Sequence, residues 1–108
     1  MANTYKFKGV ALATGSETAL LTAASDETII IKSIRVTNNT SNTPTLSFDI
    51  SDSSASAEYT ILKTQTLAAN TAVEILTVPL VLEPSDAIKA TMSSTDSTHF
   101  GISYLVIT

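Results

Sequence analysis

The sequence predicts an all-β fold: an antiparallel β-sandwich of jelly-roll or Ig-like form with about eight strands. Three observations carry that prediction. The 108 residues include 18 Thr, 10 Ile and 6 Val, all branched at the β carbon and suited to a pleated surface. Apolar residues alternate with polar ones at a period of two, with little sign of helical spacing. Small polar clusters, rich in Ser and Thr, recur roughly every 8 to 15 residues, as the turns of a sandwich do.

Taken in chain order, Tyr5-Lys6-Phe7-Lys8 reads as a strand with one apolar and one charged face. Residues 1–12 therefore offer an N-terminal strand able to dock its apolar face on a neighbouring subunit. After the polar Ala23–Glu27 turn comes Ile29–Val36, in which the apolar phase changes: Ile29 and Ile31 are odd, Ile34 and Val36 even. A bulge near Lys32 and Ser33 would aim both pairs at the core, because one extra residue shifts the pleat by one step. The alternative is a strand buried on both faces at its start. Beyond the Asn38–Pro44 turn, Leu46, Phe48 and Ile50 alternate with Ser47, Asp49 and Ser51, so one face is buried and one wet. The polar segments Asp52–Ala57 and Ala68–Thr71 are turns, the second leading into a strand at Val73. Glu83-Pro84-Ser85-Asp86 places proline at the second position of a tight turn, where its fixed φ is an advantage. Ile88, Ala90 and Met92 then repeat the two-residue alternation. The last run, Ile102–Ile107, is apolar on both faces after Ser103, which predicts a central strand or one covered by a neighbour.

Length and composition bound the function. One domain spanning residues 1–108 is all this length allows. With no cysteine, the core must hold without disulfides. The content of 44% hydrophobic and 15% charged residues argues against disorder. Ten carboxylates against five Lys and one Arg give a net charge of −4, so no nucleic-acid partner is expected, because such a partner needs clustered cations. The longest nearly apolar run, Ile75–Leu82, has eight residues and contains Thr77 and Pro79, against about 20 for a membrane helix. Val10–Ala13 is shorter than a signal-peptide core of about 7 to 15 residues, so synthesis in a cytoplasm, without a membrane partner, is the expectation.

Candidate chemistry is sparse. His99 could be grouped with Ser103 and Asp96, but no nucleophile elbow or oxyanion glycine stretch surrounds any serine, and no catalytic residue is predicted. One His and no Cys cannot build a zinc site. Asp49, Asp52 and Glu58, around a serine-rich turn, could offer oxygens to calcium. Their spacing is not that of an EF-hand loop, and ordinary acidic turn residues are the plainer reading. Glu74 and Glu83 read as outward, solubilising positions. With glycine only at positions 9, 15 and 101 there is no phosphate-cradling loop, and no cofactor is expected. Asn38 and Asn39 each begin a glycosylation-type triplet but read as turn residues. Among the aromatic residues, Tyr5, Phe7, Tyr59 and Phe100 read as core or contact residues more than sugar platforms; Tyr5, Phe7 and Phe100 are the interface candidates.

The run Ile30-Ile-Lys-Ser-Ile-Arg-Val-Thr-Asn-Asn-Thr40, then Tyr59–Lys63, Leu67–Asn70, Pro79–Ala90 and Ile102–Ile107, resembles the small β-sandwich virion proteins of tailed bacteriophages over roughly residues 18–107. Members of that group are capsid decoration (cement) proteins, neck or connector components, and tail- or fibre-associated parts. The resemblance implies a structural role in a virion, after synthesis in the bacterial host cytoplasm, as a homo-oligomer or in many copies. The implied partners are the major capsid protein or neck and tail proteins. Relatives tend to carry glycine before the aspartate of the last tight turn, where this chain has Ser85 before Asp86, leaving the turn type open. The shared motif residues shape the fold, so no functional residue is carried over.

Overall fold

A computed structural model of the chain describes residues 2–108, which form nine strands and, among the described residues, no helix. In chain order these are β1 (Asn3–Leu12), β2 (Thr18–Thr22), β3 (Thr28–Asn38), β4 (Thr45–Asp52), β5 (Ala57–Thr66), β6 (Ala72–Glu74), β7 (Leu80–Leu82), β8 (Ala87–Met92) and β9 (Thr98–Ile107). One sheet runs β1-β9-β3-β6, with β7 also on β3; the other runs β2-β8-β4-β5. First therefore pairs with last: β1 with β9, β2 with β8, β3 with β6 and β7, β4 with β5, every pair antiparallel. That is a long hairpin rolled into two sheets, the jelly roll. Of the two sandwich forms that the sequence allows, it is this one, and the ninth strand arises because the partner of β3 is broken in two.

The break has a local cause. The ladder of β3 with β9 shifts register between Ile31 and Ser33, at the bulge that the changing apolar phase predicts. Ile29 and Ile31 before it, and Ile34 and Val36 after it, are all buried. At the bulge the backbone N–H of Ile34 turns to the Glu74 carboxylate (2.9 Å), which also accepts from Ser33 Oγ and from the Leu76 N–H (3.2 Å). Glu74 thus closes the gap between β6 and β7, a structural task in place of the solubilising one its sequence context suggests. Pro79, lacking an N–H, sits where the ladder resumes at Leu80↔Ile31.

Between the sheets, Ile29, Ile31, Ile34, Val36, Phe100 and Ile102 meet Leu20, Leu46, Phe48, Ile88 and Met92. Phe48 and Phe100 cross edge to face, 6.1 Å between centroids at 71°, an arrangement that adds about 1 kcal/mol to simple burial. β9 is central, as its two apolar faces predict, with β1 on one side and β3 on the other.

Two buried polar residues tie the connections. Asn38 gathers the 39–44 and 67–71 segments, and Asp86 joins the β4–β5 and β7–β8 turns. The turn at Glu83–Asp86 is closed by Asp86 N–H to the Glu83 carbonyl (3.0 Å), with Ser85 at φ 70°. Proline second and positive φ third make it type II, a position that favours glycine. The turn type left open by the sequence is thereby settled, with serine in a glycine's place. Replacing Ser85 with glycine is expected to raise stability by about 0.5–1 kcal/mol, relief of strain exceeding the added freedom of the unfolded chain. A urea midpoint that stayed level or fell would contradict the turn assignment.

Candidate functional site

Of the three calcium candidates, Asp49 and Glu58 are brought together and Asp52 is not. Residues an odd number apart on a strand point to opposite faces; Asp49 and Asp52 are three apart on β4. Glu58 pairs with Ser51 and so shares the face of Asp49. The two meet Glu17, and Lys89 takes the cation's place there, with its Nζ 3.9 Å from Glu17 and 3.7 Å from Glu58. Asp52 lies instead with Glu83 and Asp86. Its Oδ1 accepts from Ser54 Oγ (2.9 Å) and Ala55 N–H (3.3 Å), as turn residues do. Both Asp86 oxygens are engaged by backbone N–H groups.

The histidine grouping does not assemble either. His99 and Ser103 are four residues apart on β9, about 13 Å along the strand. Asp96 faces other partners: Ser94 Oγ (2.7 Å) and then Asn42 Nδ2 (2.9 Å) hold its carboxyl below the ordinary 3.8.

Of the interface candidates, Phe100 belongs to the core. It is only 2% exposed, because Thr98, Phe100 and Ile102 form the inward set of β9 while His99, Gly101 and Ser103 point out. That alternation is present in the sequence. Tyr5 and Phe7 are 75% and 69% exposed, and both stand on the outer face of the β1-β9-β3 sheet.

This outer face is the candidate site. Register aligns a row across four strands, Tyr5–Leu105–Ile30–Val81, all apolar and all turned from the core. Two residues along, Phe7 pairs with Ser103 and then Ser33; beyond that Gly9, Gly101 and Arg35 align, then Ala11, His99 and Thr37. A side chain at Gly101 would stand 3.2 and 3.3 Å from two carbons of the Phe7 ring, and one at Gly9 3.7 Å away. The two glycines let that ring lie down on the sheet. Beside it lies an open cleft of about 550 Å³ whose lining includes Gly9, Ala11, Gly101, Arg35 and His99.

The adjoining edge has a different character. β1 pairs with β9 alone, and Asn3 to Gly9 are exposed on both faces, so this half of β1 overhangs the second sheet. Lys6 and Lys8 occupy it, and edge lysines resist the addition of a further strand. Contact through this region is therefore favoured at the face, not along the edge. Tyr59 and Ile61, 53% and 42% exposed, lie on β5 at the edge of the other sheet.

No protein-family model matches the chain, and no curated protein sequence does. Similar folds are found among solved structures. A chain in the structure of the infectious bursal disease virus Gx strain aligns at 13% identity with a TM-score of 0.59, over 96% of this chain and 32% of that one. The nucleoplasmin-like N-terminal domain of Drosophila FKBP39 aligns at 18% identity and 0.54, over 94% of this chain and 88% of that domain. The likeness is one of fold. This chain spans about a third of the virus chain, and the β-sandwich is what the three share.

Proposed function

We propose that this chain is a structural protein of a bacteriophage virion, acting as a capsid decoration protein that stabilises the particle through subunit contacts. The outward apolar row Tyr5–Leu105–Ile30–Val81 carries the reading. Such a row on the solvent side of a sheet is the kind of surface that marks an interaction site. The jelly roll, a fold used by viral capsid and lectin domains, supports it, as does the sequence resemblance to small phage virion proteins. A specific interface typically buries about 800 Å² per partner, and many modest contacts repeated on a lattice act together through effective concentration. A decoration protein working this way raises the work needed to separate adjacent capsomers.

Quantitative mass spectrometry of purified virions tests the reading. Hundreds of copies per particle are expected. Tens or fewer would move the chain to the neck, tail or fibre, and its absence from the particle would overturn a virion role. Specific sugar binding by the isolated chain on a glycan array would favour an adhesive, carbohydrate-binding module instead.

A further inference from the structure

We propose that the outer face of the β1-β9-β3 sheet binds a second copy of this chain. The dimer is two-fold, and Tyr5 of each copy enters the partner's cleft over Gly9 and Gly101. Knob and hole lie on the same face. Tyr5 is the most exposed large apolar side chain among the described residues, and Gly9 of the cleft lining lies four residues further along β1, about 13 Å away. The row Phe7–Ser103–Ser33 lies midway between them. A two-fold axis along that row, in the plane of the face and across the strands, turns one sheet onto the other. It sets each Tyr5 above the other copy's Gly9 and the two Phe7 rings near each other at the axis. An isologous contact needs such self-complementarity.

Size fits this occupant. Three strands about 4.8 Å apart and about 33 Å long, with the short β7 beyond them, give a face of roughly 500 Å² before side-chain relief is added, the larger part of the roughly 800 Å² per partner of a stable interface. The axis keeps the two Arg35 side chains about 13 Å apart along the strands, so the guanidinium groups do not meet. Lys32, at the bulge beside the gap between β6 and β7, lies at the rim, where a long stem keeps its ammonium in water. Arg35 and His99, both in the cleft lining, offer the Tyr5 hydroxyl hydrogen-bond partners.

The test uses the whole purified chain in sedimentation velocity over a concentration series, with circular dichroism melting as the fold control. Wild type is expected to dimerise. Tyr5→Ala removes the knob and Ala11→Trp fills the hole; each is expected to weaken dimerisation roughly 30-fold or more, since buried tyrosines are common hot spots. An equimolar mixture of the two is expected to form a heterodimer that neither variant matches alone, because one knob still finds one open hole. A wild type that stays monomeric at submillimolar concentration, a Tyr5→Ala chain that dimerises like wild type, or a mixture no more associated than its components would each overturn the proposal. The dimer and the virion role fail separately. A monomer found in hundreds of copies per particle sinks the dimer alone, and a dimer missing from particles sinks the virion role alone.

Discussion

Replacing Asn38 with aspartate is expected to cost about 3 kcal/mol or more of folding stability, because the change removes donors from a site walled by carbonyls. Asn38 is 1% exposed at the end of β3. Its Nδ2 faces the carbonyl oxygens of Asn42 (2.8 Å), Ala68 (3.2 Å) and Leu67 (3.4 Å), while Oδ1 accepts from Thr40 N–H (3.0 Å) and Thr40 Oγ1 (2.8 Å). One amide therefore fastens both loops at this end of the sandwich. An aspartate keeps the Thr40 contacts but turns an oxygen on the carbonyls. Unfolded, that carboxyl titrates near 3.9; among carbonyls its folded pKa lies higher. A raised folded pKa means that the folded state holds its proton longer, so the deficit is smallest below about pH 4 and grows as pH rises through the folded value. Urea unfolding from pH 3 to 7 reads both size and slope. Asn39→Asp, at the exposed neighbour, is the control and should stay within about 0.5 kcal/mol of wild type. Equal losses at the two positions would refute the role given to Asn38.

The sequence makes the strands legible where one face is buried and one is wet. Leu46, Phe48 and Ile50, then Ile88, Ala90 and Met92, each mark a core face because side chains alternate on a pleat. The bulge at Lys32 and Ser33 is legible for the same reason, as a change of phase that only an extra residue can repair. Phe100 belonged to that grammar too: reading Thr98, Phe100 and Ile102 as one face places it inside, whereas taking it as an isolated aromatic beside a polar loop places it in an interface. Tertiary partnership is what local pattern cannot carry. Glu74 caps a bulge some 40 residues back in the chain, and nothing in the residues around it announces that partner. The outer apolar row is similar, since Tyr5, Leu105, Ile30 and Val81 become neighbours only through the register of three ladders. Likewise the three calcium candidates are close in sequence, and it is the odd spacing of Asp49 and Asp52 that separates them.

Asp86→Ala is expected to be the other large loss, about 2–4 kcal/mol, because it orphans two backbone donors at once. Asp86 is 4% exposed. Its Oδ1 accepts from Ser53 N–H (2.9 Å) in the β4–β5 turn and its Oδ2 from Glu83 N–H (3.0 Å) in its own turn. Its main chain adds a third tie: the Asp86 carbonyl accepts from Ala23 N–H (2.9 Å), while Ser85 N–H donates to the Ala23 carbonyl (3.0 Å). Three connections thus converge on one residue at the end of the sandwich. Alanine leaves the main-chain ties in place and removes only the carboxylate, so the loss isolates the two side-chain bonds. Asparagine keeps one acceptor but sets an N–H against the other donor, so Asp86→Asn should fall between wild type and alanine. Amide hydrogen exchange gives the residue-level check: in Asp86→Ala, protection at Ser53 and Glu83 should drop more than at Ile88 or Phe48 in the adjoining strands. Uniform loss across those four amides would mean that the whole domain had weakened without local release, and the bridging role of Asp86 would be wrong.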